Sequence, residues 1–114
     1  MANQSTPLNL VGGLEVAVAA AGADLATATA LTGGVNVVTS ATAVSADGVR
    51  LPADYPLGTP LYIVNATAVA LDVWPPTGGT INGGSAGAAK ALAANMSGCY
   101  VRYSSTGWGA VLSA

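Results

Sequence analysis

The sequence predicts an all-β protein, and three observations support that prediction. Apolar and polar residues alternate with a period of two in several short runs, Val and Thr are concentrated in those runs, and Gly and Pro separate them. Short strands joined by glycine turns are typical of a β-sandwich or a small barrel. For a chain of 114 residues we expect one domain over residues 14–114, a jelly-roll-like sandwich or a small barrel, after an extended N-terminal arm at 1–13.

The N-terminal region combines this arm with two candidate strands. The arm contains the Gly12-Gly13 pair and shows no strong period, and its apolar residues are candidates for contacts with a neighbouring molecule: Pro7, Leu8, Leu10 and Val11. The runs LEVAVAAAG at 14–22 and ATATAL at 26–31 alternate as strands do. Their alanines also leave a helix open as an alternative for residues 16–31.

The middle of the chain predicts a hairpin and two further strands. GVNVVTSATAV at 34–44 is rich in β-branched residues, and the Asp47-Gly48 pair after it predicts a turn into residues 49–51. A proline-rich loop at 52–60 leads into a clear strand, PLYIVNAT. A second strand, VALDVW, ends at Pro75-Pro76, because two successive prolines remove two backbone donors.

The C-terminal part predicts short strands between glycine turns. Residues 80–82 are expected to form a short rung, and AAKALAAN at 88–95 is expected to be a strand with a helical alternative. CYVRY at 99–103 alternates, a turn follows at 105–107, and WGAVL at 108–112 closes the domain.

The composition predicts a protein that is stabilised in part by its partners. The chain has no Phe, and its apolar residues are mostly Ala and Val. Burial stabilises by about 25 cal/mol per Å² of apolar surface, so small side chains contribute little each. An oligomer or a scaffold would supply the additional burial, and we expect a homotrimer.

Charged residues are scarce, which excludes several kinds of partner. They make up 7% of the chain, and the net charge is -2. Nucleic-acid binding needs clustered cations, whereas Arg50, Lys90 and Arg102 are scattered. The apolar run at 16–22 is shorter than the ~20 residues of a membrane span. We therefore expect neither a nucleic-acid partner nor a membrane partner.

Residue types that support catalysis or metal binding are few. The chain has no His, its single cysteine is Cys99, and its five acidic residues form no closely spaced pair. General acid–base catalysis and metal binding both need such groups together. We expect no enzymatic activity, no cofactor and no metal. Trp74 and Trp108 are candidate packing or interface residues, and an exposed sugar-stacking platform is the alternative.

Several segments resemble one group of proteins. GVRLP at 48–52, YIVNA at 62–66, LDVWPPTGGTINGG at 71–84 and TGW at 106–108 form a series that is similar to small virion proteins of tailed bacteriophages. ATALTGGVNVVT at 28–39 fits the same group, so the resemblance covers residues 28–112.

This resemblance implies a capsid decoration, or cement, protein. Such a protein is a trimeric β-sandwich on the outer surface of the phage head, bound to the major capsid protein and made in the cytoplasm of the host bacterium. Related β-modules occur in head and tail fibres, so a receptor- or glycan-binding fibre module is the alternative. The resemblance carries over no catalytic residue.

Overall fold

The computed structural model of the protein describes residues 13–41 and 47–113, so the candidate arm residues Pro7, Leu8, Leu10 and Val11 lie outside the described residues. The described residues form ten strands and no helix, which confirms the all-β prediction and shows that the helical alternatives for 16–31 and 88–95 are wrong. The strands are β1 Leu14–Ala19, β2 Thr29–Ala30, β3 Val35–Ser40, β4 Gly48–Arg50, β5 Pro60–Asn65, β6 Leu71–Trp74, β7 Thr80–Ile81, β8 Lys90–Leu92, β9 Ser97–Arg102 and β10 Gly107–Leu112.

The strands form two sheets, and the first six strands alternate between them. The six-stranded sheet has the order β1-β3-β5-β9-β10-β7, and the four-stranded sheet has the order β2-β4-β6-β8. Strands β1, β3 and β5 pair in parallel, as do β2, β4 and β6. The chain therefore winds as a coil that gives one strand to each sheet per turn, and three such coils make a short solenoid-like stack.

The remaining strands close this stack with antiparallel pairs. β9 pairs antiparallel with β5, and β10 pairs antiparallel with β9, so the hairpin extends the six-stranded sheet. β8 pairs antiparallel with β6 at the end of the four-stranded sheet. The short strand β7 runs parallel along the far side of β10, which confirms the rung expected near residue 80.

The expected jelly-roll sandwich is wrong, and so is the hairpin at Asp47-Gly48. β3 and β4 belong to different sheets, and β4 instead lies between β2 and β6. A period of two reports which side chains share a face, but it is the same for parallel and antiparallel strands. The pattern thus predicted the strands correctly and left their pairing undetermined.

The hydrophobic core lies between the two sheets. Val38 and Ile63 of the six-stranded sheet and Val49 and Val73 of the four-stranded sheet are completely buried. Leu is the most frequent residue in this core, which also contains Tyr55, Tyr100 and Trp108, although the composition predicts a core of mostly Ala and Val. The largest fully buried side chain is Trp108.

Two buried asparagines hold the coils together. Asn36 accepts a hydrogen bond from the Gly33 amide at 3.1 Å and donates to the carbonyls of Gly33 and Tyr62 at 2.9 and 3.2 Å. The bond to Tyr62 joins β3 to the next coil. A buried amide is stable only when its donors and acceptor find partners, and this backbone satisfies them.

Asn65 fixes the corner after β5. Its Nδ2 lies 2.9, 3.2 and 3.1 Å from the carbonyl oxygens of Val69, Leu92 and Ala93, and its Oδ1 accepts from the backbone and hydroxyl of Thr67 at 3.1 and 2.7 Å. One side chain thus ties the β5–β6 corner to the end of β8, so it couples the last coil to the C-terminal part.

Replacing Tyr100 by phenylalanine is expected to stabilise the protein. The Tyr100 hydroxyl is buried without a hydrogen-bond partner among the described residues. Gly98 packs against this ring so closely that a Cβ there would lie 2.7 Å from Cε1. Because an unpaired buried hydroxyl costs about 1–3 kcal/mol, Tyr100→Phe should raise the free energy of unfolding by about 1 kcal/mol in urea titrations.

The pH dependence of the free energy of unfolding tests separately whether the Tyr100 hydroxyl is buried. Burial raises the pKa of Tyr100, and it also raises the pKa of Tyr55. The unfolded chain releases these protons at about pH 10, before the folded protein does, so the wild type loses stability as the pH rises above that value. Tyr100→Phe keeps Tyr55 and should lose less stability over that range. Equal losses in the two proteins would contradict the burial of the Tyr100 hydroxyl.

Candidate interaction surface

A row of apolar side chains crosses the outer face of the six-stranded sheet, which is the face turned away from the four-stranded sheet. The strand registers place Leu14, Val35, Tyr62, Cys99 and Val111 side by side on five successive strands. Val38, Ile63 and Tyr100 lie in the core, and because side chains alternate along a strand, this row points away from it. Leu14, Tyr62 and Val111 are 60%, 40% and 76% exposed, respectively.

Neighbouring rows on this outer face are also uncharged. Val37 lies beside Val64, and Val101 lies beside Gly109. Tyr103 is 62% exposed and covers Gly107, since a Cβ at Gly107 would lie 2.6 Å from Tyr103 Cζ. The face is therefore a continuous surface of valine, tyrosine and small residues. A contiguous apolar patch of this kind typically marks an interaction surface.

The two charged residues in the strands of this sheet, Glu15 and Arg102, lie on its inner side, where Glu15 remains exposed to solvent. Glu15 lies in register with the buried Asn36, so it points to the inner side of β1. Arg102 lies in register with the buried Trp108. Its guanidinium donates to the carbonyls of Tyr55 and Ser105 at 2.8 and 3.0 Å, which keeps it beneath the sheet edge.

The other described charges lie on the four-stranded sheet or in loops. Arg50 lies in register with Trp74, and its Nη1 donates to the Leu25 carbonyl at 2.9 Å. Asp72 also belongs to the four-stranded sheet. Asp24 lies in the loop after β1, where hydrogen bonds from the hydroxyl and the backbone amide of Thr27 lower the pKa of its carboxyl. No charged side chain of residues 13–41 and 47–113 therefore lies on the outer face of the six-stranded sheet.

The two tryptophans singled out in the sequence do not share a surface. Trp108 is completely buried, and its ring centre lies 6.0 Å from that of Tyr55. Trp74 is half-buried on the four-stranded sheet, against Gly48, with its indole nitrogen buried and unpaired among the described residues. Gly48 must be a glycine here, because a Cβ would lie 2.8 Å from Trp74 Nε1.

Sequence reasoning missed the residues that form the outer face. The alternation in LEVAVA is visible in the sequence, but which strands lie beside β1 depends on the lengths of the coils. Leu14 faces Val35, whereas Val38 faces Val18, so a β-bulge in β1 shifts the register by one residue. That shift moves Val18 inward while Leu14 stays outside.

The described residues provide little that resembles a reaction centre. They contain no group of three or more His, Cys, Asp or Glu side chains placed to hold a metal ion. A cavity near Leu31 and Pro52 has Arg50 as the one charged side chain among the residues that line it. In the part of the chain that the structure describes, no helix is long and apolar enough to cross a membrane.

The fold thus defines a class of protein, a solenoid-like stack of three coils with two sheets. The antiparallel β9–β10 hairpin extends the six-stranded sheet, and the outer face of that sheet is apolar. Comparisons with protein-family models, with curated proteins and with solved structures found no match to this chain.

Proposed function

We propose that this protein is a structural component of a tailed-phage virion, a decoration protein that binds the outer surface of the head. In this proposal the outer face of the six-stranded sheet is the surface that becomes buried against the major capsid protein. The observation that carries the proposal is the uncharged row from Leu14 to Val111, which runs across five strands without a charged neighbour. The resemblance over residues 28–112 to small virion proteins is the reason for proposing a phage head as the partner assembly.

Leaving this apolar face in water costs free energy that burial against a partner would recover. Each exposed apolar side chain gains free energy on burial, at about 25 cal/mol per Å², and a flat sheet face allows many side chains to be buried at once. Because no charged group has to be desolvated, the gain is not offset by the several kcal/mol that an unpaired buried ion costs.

A homotrimer fits this role. Three identical surfaces that are held together engage a symmetric shell at once, so modest contacts add up through effective concentration. The fibre alternative, a glycan-binding module, needs an exposed aromatic platform. Burial of Trp108 leaves the pair of indoles without one, so the geometry supports packing better than sugar stacking.

Placing a carboxylate at the β10 end of this apolar row is expected to abolish binding to the particle. Val111→Asp puts a charge at a 76% exposed position, where it should not disturb folding. Desolvating that charge against a shell costs several kcal/mol, so affinity for heads that lack the protein should fall at least ~100-fold. Co-sedimentation with purified heads measures the loss, and Ala30→Asp on the exposed surface of the four-stranded sheet is the matched control.

Two outcomes would count against the proposal. If Val111→Asp occupies heads as fully as the wild type does, the outer face is not the binding surface. If light scattering gives a monomer mass and the wild type itself fails to bind expanded heads, the proposed function is wrong. The proposal is supported if Val111→Asp loses binding while the Ala30→Asp control binds heads at the wild-type level.

A further inference from the structure

Four glycines lie within the described strands, and contacts inside the chain explain three of them. At Gly48, Gly98 and Gly107 a Cβ would lie 2.6–2.8 Å from an atom of a neighbouring aromatic side chain. Gly109 differs, because a Cβ there would have only two neighbours within 4 Å, at 3.9 and 4.0 Å, which is ordinary van der Waals contact. Close packing within residues 13–41 and 47–113 therefore does not require glycine at this position.

The backbone conformation of Gly109 does not require glycine either. Its φ lies outside the left-handed region, and β9 and β10 pair around it in an unbroken register. Glycine weakens a strand, and a glycine inside one often marks a bulge, a bend or a place where another molecule approaches closely. The regular register excludes a bulge here. The close approach of another molecule is therefore the reason to consider.

Three side chains surround the space over Gly109, which we call the Gly109 notch. Val101 lies directly across from Gly109 on β9, and Val111 follows two residues later on the same face of β10. On the other side the Tyr103 ring lies over Gly107, and its Cδ2 would lie 3.9 Å from a Cβ at Gly109. The ring buries Gly107 and leaves Gly109 only half-buried. The notch thus has apolar walls, opens on the outer face of the six-stranded sheet, and has strand backbone as its floor.

The turn between β9 and β10 holds the Tyr103 wall in place. The Tyr103 amide donates to the Gly107 carbonyl at 3.0 Å, and the Gly107 amide donates to Ser104 Oγ at 2.9 Å. Arg102 Nη2 donates to the Ser105 carbonyl at 3.0 Å from the inner side. The Tyr103 side chain is nevertheless 62% exposed. An aromatic ring that is fixed before binding loses little entropy on binding, and tyrosine is enriched among the residues that dominate interface energies.

We propose that the Gly109 notch receives one aliphatic side chain of the major capsid protein and is the anchor of the head-binding face, an inference that rests on the proposed function. The occupant is uncharged, because no described charged side chain lies on this face to pair with an ion. Its size is that of one side chain, since the notch is the empty position between Val101, Tyr103 and Val111. It belongs to the shell because the notch adjoins Val111, the β10 end of the apolar row assigned to the head.

Filling the notch from within the protein tests this proposal. Valine favours strands and meets no close contact at this position, so Gly109→Val should unfold at the same urea concentration as the wild type or a higher one. Its affinity for heads that lack the protein should nevertheless fall at least ~10-fold in co-sedimentation, because the notch is already occupied. Ala91→Val, on the exposed surface of β8, is the matched control and should bind as the wild type does. Wild-type binding by Gly109→Val would overturn the proposal.

Substitutions of Tyr103 test the wall of the notch. Tyr103→Ala removes an exposed ring and should lower the affinity for heads at least ~10-fold, whereas Tyr103→Phe keeps the ring and should bind fully. Equal binding by these two variants would contradict the role of the ring.

The same measurements separate this inference from the proposed function. If the wild type binds heads and Val111→Asp does not, while Gly109→Val binds fully, the face is the binding surface and the anchor is wrong. If the wild type itself fails to bind, the proposed function and the anchor are both wrong. A lower oligomer mass of Gly109→Val in light scattering would show that a second copy fills the notch and would refute the proposal.

Discussion

Replacing Asn65 by alanine is expected to lower the free energy of unfolding by about 3 kcal/mol. The side chain is completely buried and serves Thr67, Val69, Leu92 and Ala93 on two separate parts of the chain. Alanine removes these hydrogen bonds from a completely buried position, where water does not readily replace them, although the Val69 and Ala93 carbonyls keep other donors, in the Thr67 hydroxyl and the Met96 amide. Urea unfolding that is followed by circular dichroism measures the loss.

Asn82→Gly is the matched control for this change. Asn82 also bonds a strand backbone through its side chain, but it is exposed, and glycine accommodates its positive φ of 52. Water replaces the lost bonds there, so the loss should stay below about 1 kcal/mol. Similar losses for the two variants would contradict the role of Asn65 as the link between the last coil and the C-terminal part.

Truncating Trp108 to alanine is expected to cost about 3–5 kcal/mol of unfolding free energy. Trp108 is the largest fully buried side chain, and it packs with Tyr55 across the end of the core. Alanine leaves a cavity in place of the indole, because the side chains around a buried site relax only in part. Thermal and urea unfolding should both show the loss, and a large part of it should be recovered in Trp108→Phe.

Trp74→Ala makes the same chemical change at a half-buried position. Because Trp74 is only half-buried, its truncation removes less buried apolar surface than truncation of Trp108 does. It also removes a buried indole nitrogen that has no hydrogen-bond partner among the described residues, and loss of that unpaired donor is favourable. We expect a loss of about 1–2 kcal/mol. If Trp108→Ala proved no more destabilising than Trp74→Ala, Trp108 would not be the central residue of the core.

The strands were predictable from sequence because their side chains alternate in burial. PLYIVN became β5, LDVW became β6, and the segments around CYVRY and WGAVL became β9 and β10. β5, β6 and β9 alternate between buried and more exposed residues, and burial of one face selects for that pattern regardless of the neighbouring strand.

The topology was not predictable in the same way. Asp47-Gly48 is a strong local hairpin signal, yet the chain there passes to the other sheet, because β4 gains more by packing Val49 between β2 and β6. Residues that pair in a parallel ladder are separated along the sequence by the length of a whole coil. No local sequence pattern specifies that number of residues. The outer face was missed for the same reason, since Tyr62 and Val111 become neighbours of Leu14 only through these registers.

The position of β5 has a consequence for how the chain is made. β5 is the last parallel strand of the six-stranded sheet, and its other neighbour is β9, which is synthesised only after β6, β7 and β8. During translation the three coils can therefore assemble while β5 still presents a bare edge and an apolar surface. Nascent chains on one polysome would be prone to pair through that edge, so expression yield should depend on how quickly the last third of the chain emerges.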